Sequence, residues 1–125
     1  MEIYNQTATP STHLINFNAT TGLFSLSGRS TPENPAAFYE PLQAWLTNYT
    51  LQPRPHTILH INLEYFNTAS SKCLLDLMKK IKQLTTTGNS VLVKWQYEEG
   101  DEDMQEAGQD YSDILEIPFE FIEQV

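Results

Sequence analysis

The stretch Leu63-Glu64-Tyr65-Phe66-Asn67-Thr68-Ala69-Ser70-Ser71-Lys72 decides how the chain is read. Upstream of it, residues 57–63 alternate. Leu59, Ile61 and Leu63 share one face and Ile58, His60 and Asn62 the other, which reads as a strand. Its mixed, two-sided character predicts helices on both faces of the sheet. Downstream, Leu74, Leu77, Met78, Ile81 and Leu84, widened by Cys73 and Leu75, recur at helical spacing. They predict a helix over 69–86, with Lys79, Lys80 and Lys82 where cations suit the helix dipole and Gly88 as its stop. Between strand and helix lie the amide of Asn67 and the hydroxyls of Thr68, Ser70 and Ser71, without Gly or Pro. Such a junction exposes the first N–H groups of the helix, and with the dipole they favour an anion or an oxygen acceptor.

Working outward, residues 1–10 read as a loose N-terminal arm and 11–125 as a single domain. Leu14-Ile15-Asn16-Phe17 and Leu23-Phe24-Ser25-Leu26-Ser27-Gly28 are short strand patterns around a loop in which Gly22 can take positive φ. Residues 29–35 form a connector rich in Ser, Thr, Pro and Asn, in which Asn34-Pro35 reads as a helix cap followed by Pro at the first helical position. Phe38, Leu42, Trp45, Leu46 and Tyr49 then share one helical face, with Pro41 predicting either a kink or a restart near Glu40. Val91, Val93, Trp95 and Tyr97 mark the next strand. An acidic turn around Gly100 leads into a helix over 102–115, with Met104, Ala107, Tyr111, Ile114 and Leu115 inward. Residues 117–122 form a last strand whose Pro118 suits an edge. The predicted order is β-β-α-β-α-β-α-β, an α/β mixed sheet with an N-terminal hairpin and a parallel portion. Its last five elements make two β-α-β crossovers, which are right-handed almost always.

The bulk numbers bound the function. A chain of 125 residues fits one domain, and 40% hydrophobic content with 11% aromatics fits a folded one. A net charge of −9 argues against a sequence-independent nucleic-acid binder and against anionic membrane surfaces. No run is long and apolar enough for membrane insertion, and the N-terminus lacks signal-peptide regions. A single cysteine, Cys73, fits a reducing, cytoplasmic setting.

Each candidate site has a plain structural reading beside the functional one. At the junction, Asn67 or Thr68 can simply cap the helix while Ser70 and Ser71 fill its first turn. The functional reading is a phosphorylation switch at Thr68 or a neighbouring Ser. A phosphoryl group adds about −1.5 to −2 charges and strong acceptor oxygens, which the helix end can hold with little disturbance of the fold. Lys72, about one turn on, can supply a counter-charge, and so can Arg29 if its loop lies near. The run Glu98, Glu99, Asp101, Glu102, Asp103 lacks the calcium-loop pattern and reads as a solvated turn, or as a docking edge at Glu99 and Asp101 for a basic partner. His13, His56 and His60 have no metal-ligand spacing, Cys73 reads as a small core residue, and no nucleophile elbow or phosphate-cradling glycine loop is present. No metal, cofactor or catalytic residue is expected, and the chain reads as non-enzymatic.

Three segments carry a resemblance: Leu26-Ser27-Gly28-Arg29-Ser30-Thr31-Pro32-Glu33-Asn34-Pro35, the opening stretch 63–72, and Trp95-Gln96-Tyr97-Glu98-Glu99-Gly100-Asp101-Glu102-Asp103-Met104. In this order and spacing they resemble the SiaC family of regulatory phosphoproteins, over about residues 11–123. The resemblance implies a fold like that of anti-sigma-factor antagonists (STAS-like). It implies phosphorylation of Thr68 by a kinase of the histidine-kinase-like ATPase type and removal of the phosphate by a metal-dependent Ser/Thr phosphatase. It further implies that the unmodified form binds and activates a diguanylate cyclase, raising cyclic di-GMP. Asn67, Ser70, Ser71 and Lys72 then take supporting roles around the phosphate or the partner. The rival reading is an anti-sigma-factor antagonist controlling transcription by partner switching, which the same junction would serve.

Overall fold

In the computed structural model, which describes residues 3–6, 14–30 and 35–125, the alternation upstream of Asn67 becomes the longest strand of the fold. The chain runs β1 (Ile3–Gln6), β2 (Leu14–Asn18), β3 (Leu23–Ser30), α1 (Pro35–Tyr49), β4 (His56–Phe66), α2 (Thr68–Lys82), a 3-10 turn (Gln83–Thr87), β5 (Ser90–Glu98), α3 (Glu102–Leu115) and β6 (Phe119–Gln124). The six strands form one sheet in chain order. β1 pairs with β2 and β2 with β3 antiparallel, and the pairings from β3 through β6 are parallel. This is the mixed α/β fold with an N-terminal hairpin that the sequence predicts, enlarged by one strand.

At residues 3–6 the added strand departs from the reading of residues 1–10 as a loose arm. Residues 3–6 pair with β2, in the register Tyr4 to Phe17, and the Tyr4 ring meets Trp45 edge-on at 6.4 Å. The polar composition of the segment hid a strand whose ladder bonds come from a partner distant in sequence. Residues 7–13 lie outside the described residues, and His13 with them.

The expectation of helices on both faces of the sheet is also overturned. Strands that follow chain order, joined by three successive right-handed crossovers, place every helix on the same face. Coverage of both faces requires the order to reverse at some point in the sheet. Accordingly α2 touches both α1 and α3. Thr57, Leu59, Ile61 and Leu63 of β4 are buried beneath the helices, while Ile58, His60 and Asn62 on the other face stay half-exposed.

The core lies between that face and the helices. Phe17 and Phe24 stack at 4.6 Å, with Trp45 of α1 edge-on to both. α1 is one helix with Pro41 inside it, so no restart occurs at Glu40. Leu42, Trp45, Leu46 and Tyr49 are buried as expected, and Tyr39 joins them. The core stripe of α2 is buried throughout, whereas Ile114 of α3 is 57% exposed. Met104, Gly108, Tyr111 and Leu115 form the true inner stripe of α3, and Ile114 falls on its flank. Gly108 permits this packing, because a Cβ there would stand 2.5 Å from Cδ1 of Trp95. β6 is an edge strand that starts just after Pro118.

Candidate functional site

The C-terminal ends of the parallel strands place the opening stretch at one edge of the sheet. Asn67 leaves β4 in an extended conformation (φ −81°, ψ 169°) and caps α2. The Ser70 N–H donates to Asn67 Oδ1 at 2.8 Å, and the Ser71 N–H donates to the Asn67 carbonyl at 3.0 Å. The cap is therefore Asn67, and Thr68 occupies the first helical position. Its N–H and that of Ala69 belong to the end of the helix that lacks intrahelical acceptors.

The three hydroxyls of the junction separate by environment. Thr68 is exposed. Ser70 is 0% exposed, its side chain turned into the protein. Ser71 is half-buried, and its Oγ donates to the Thr68 carbonyl at 2.6 Å. Lys72 is exposed and stands four residues from Thr68, a helical-neighbour spacing. A group attached at Thr68 thus meets solvent at the N-terminal end of α2, whereas one on Ser70 would have to be buried.

The neighbouring strand ends complete the surface. β3 extends past the predicted connector boundary to Ser30, with a register shift between Gly28 and Arg29 where Gly28 takes φ 101°. The shift pairs Arg29 with Tyr65 and Ser30 with Phe66, so the backbone of Arg29 lies beside the strand residues that lead into Asn67. The Arg29 side chain and residues 31–34, Asn34 included, lie outside the described residues. On the opposite flank, Asp101 caps α3 by accepting from the Met104 N–H at 3.1 Å. It also lines two adjoining shallow cavities. One, of about 230 Å³, is bordered by Asn62, Leu63, Glu64 and Glu98. The other, of about 290 Å³, is bordered by Glu64, Tyr65, Phe66, Asp103, Met104 and Ala107. Glu99 lines a neighbouring concavity with Glu98, Gln124 and Val125, and Glu98 borders both this concavity and the first Asp101 cavity.

Two features of the site carry no signal in sequence. Glu64 and Tyr65 look like the tail of a strand, yet they border the surface beside Thr68. Tyr111 looks like a core residue, yet its hydroxyl donates to the Ser71 carbonyl at 2.8 Å. Burial raises the pKa of that phenol well above the ordinary tyrosine value, with Tyr39 nearby adding to the effect, so it stays a neutral donor. Burial and then Asp76 likewise raise the Cys73 thiol, against a smaller opposing influence of Lys72. His60 Nε2 pairs with Gln96 Oε1 at 2.8 Å. His56 pairs through Nδ1 with Ser90 Oγ. Among the described residues no group of three or more His, Cys, Asp or Glu could hold a metal ion, and no helix is long and apolar enough to cross a membrane.

Comparison with known proteins agrees with this arrangement. An uncharacterized protein of Pseudomonas aeruginosa is 25% identical over 111 residues, covering 89% of this chain and 88% of that protein. The structure of SiaC of Pseudomonas aeruginosa matches with a TM-score of 0.90 at 22% identity, over 99% of this chain and 100% of that one. A chain in the crystal structure of diguanylate cyclase SiaD in complex with its activator SiaC, from the same organism, matches with a TM-score of 0.90 at 23% identity, over 97% and 99%. These likenesses establish the fold. The model of a family described as SiaC family regulatory phosphoprotein matches residues 6–124, and with that span covered, the chain belongs to the SiaC family of regulatory phosphoproteins.

Proposed function

We propose that the chain is a non-enzymatic phospho-switch whose modified residue is Thr68. A kinase of the histidine-kinase-like ATPase type adds the phosphate and a metal-dependent Ser/Thr phosphatase removes it. The unmodified form binds and activates a diguanylate cyclase, as SiaC does SiaD in the related complex. One observation carries the choice of residue: of the three junction hydroxyls, Thr68 is exposed, Ser70 is fully buried and Ser71 is bonded to the Thr68 carbonyl. A phosphate at the first helical position can be held by the helix-end N–H groups and by Lys72, so the fold persists while the surface gains charge. The partner surface extends over the acidic flank, where Glu99 and Asp101 offer a docking edge for a basic partner.

Two experiments test the reading. Incubation with the cognate kinase and ATP, followed by mass-spectrometric mapping, should place the phosphate on Thr68, and labelling confined to other residues would refute it. Thr68→Ala should retain cyclase binding and Thr68→Asp should weaken it with the fold intact. Equal affinities of the two variants would count against a switch. Binding of an anti-sigma factor in place of the cyclase would assign the rival output.

A further inference from the structure

We propose that Tyr111 is a positioning residue for Thr68, its hydroxyl fixing the first turn of α2 in the geometry that kinase and effector meet. The inference rests on the reading of Thr68 as the modified residue. α3 is seated on the sheet through Trp95. Gly108 lies against the Trp95 ring, and the buried Trp95 Nε1–H donates to the Met104 carbonyl at 2.9 Å. Trp95 itself is 0% exposed at the centre of β5. From this fixed base the Tyr111 ring packs 5.5 Å from Trp95 and 6.4 Å from Phe66, the residue that precedes Asn67. Its hydroxyl then crosses to the Ser71 carbonyl at 2.8 Å. One side chain thus touches the chain on both sides of Thr68.

The bond is not needed to satisfy the helix. The Ser71 carbonyl lies inside α2, where the ladder already supplies a donor four residues on. What Tyr111 adds is a link to a body outside α2. Within α2, the first turn is held by the Asn67 cap and by the Ser71 hydroxyl on the Thr68 carbonyl, both local to the segment they restrain. Tyr111 ties that segment to the sheet through α3, and the acidic turn that starts α3 is thereby joined mechanically to the switch.

Tyr111→Phe tests the tether cleanly, since it keeps the ring and removes only the hydroxyl. Amide hydrogen exchange at Ser70, Ser71 and Lys72 should rise about fivefold, the effect of losing one ordinary net hydrogen bond, while Leu59 and Ile61 of β4 keep their protection. With the cognate kinase, the KM for phosphorylation of Thr68 should rise, by at most the same factor, with kcat unchanged, because a turn released by Tyr111 spends less time in the geometry the kinase binds. Unchanged first-turn exchange, or a rise spread evenly over the molecule, would overturn the proposal, and so would an unchanged KM. If the unaltered protein is not labelled at Thr68, the switch reading itself fails, and the exchange measurement still decides the tether.

Discussion

Replacing Asn67 by Ala isolates the cap on which the whole junction depends. The substitution removes the acceptor of the Ser70 N–H, a bond of 2.8 Å. At an exposed helix end water takes over such a donor, and the cost is about 1 kcal/mol. Here Ser70 is 0% exposed, so water has poor access and the cost moves toward that of a buried donor left unpaired, about 1–3 kcal/mol. We expect a loss of about 1–2 kcal/mol for Asn67→Ala, read in urea as a fall in midpoint of about 0.5–1 M with unchanged slope. Asn67→Asp keeps an acceptor in place and puts a negative charge at the positive end of α2, a gain of about 0.3–1 kcal/mol at low salt. The carboxylates of Glu64 and Asp101 on the same edge oppose part of that gain, so Asp should leave stability close to the original. Added salt should erode whatever increment remains. If Asn67→Ala stays within about 0.3 kcal/mol of the original, or Asn67→Asp falls as far as the Ala variant, the cap is not what organises this junction.

The remaining predictions concern the packing of α3 and the ionisable groups. Gly108→Ala should lower the melting temperature by several degrees, because a Cβ 2.5 Å from the Trp95 ring must push α3 off the sheet, and overpacking of about 1–3 kcal/mol outweighs a helix-propensity gain of about 1 kcal/mol. A melting temperature equal to or above the original would refute that packing. Stability should also fall in alkali. Tyr4 and Tyr111 are raised above the ordinary value of 10.0 and Cys73 above 9.0, all chiefly by burial. Below those ordinary values both folded and unfolded chains are protonated and the contribution is complete. Above them the unfolded chain releases protons first, so stability drops as pH rises toward the folded pKa values. Urea midpoints that hold steady between about pH 8 and 11 would contradict this.

Much of the fold was legible because its patterns are local. The alternation through β4, the apolar stripe of α2, Gly88 after its last turn and the acidic start of α3 each follow from periods and caps within a few residues. The misreadings share a cause of the opposite kind. β1 has no apolar run of its own and is defined by its ladder with β2. The one-sided placement of the helices follows from strand order, which no single segment encodes. Ile114 sits in a good helical pattern but on the flank that α3 turns to solvent, because Gly108 rather than a larger residue meets the sheet.

The same division holds at the site. The sequence by itself determined that 63–72 is a strand-to-helix junction with an anion-friendly end and several hydroxyls, since capping chemistry and the helix dipole depend only on neighbouring residues. Capping chemistry left Thr68, Ser70 and Ser71 equivalent, and only the family resemblance pointed to Thr68. The tertiary structure gives the physical distinction, by burying Ser70 under the helical layer and leaving Thr68 in solvent. Only the parallel pairing of β3, β4 and β5 brought the backbone of Arg29 and Asp101 to the flanks of the junction. And only the seating of α3 on Trp95 brought the Tyr111 hydroxyl to Ser71, 40 residues away in the chain. Burial and long-range contact depend on how the elements stack, and stacking is settled by the sheet as a whole.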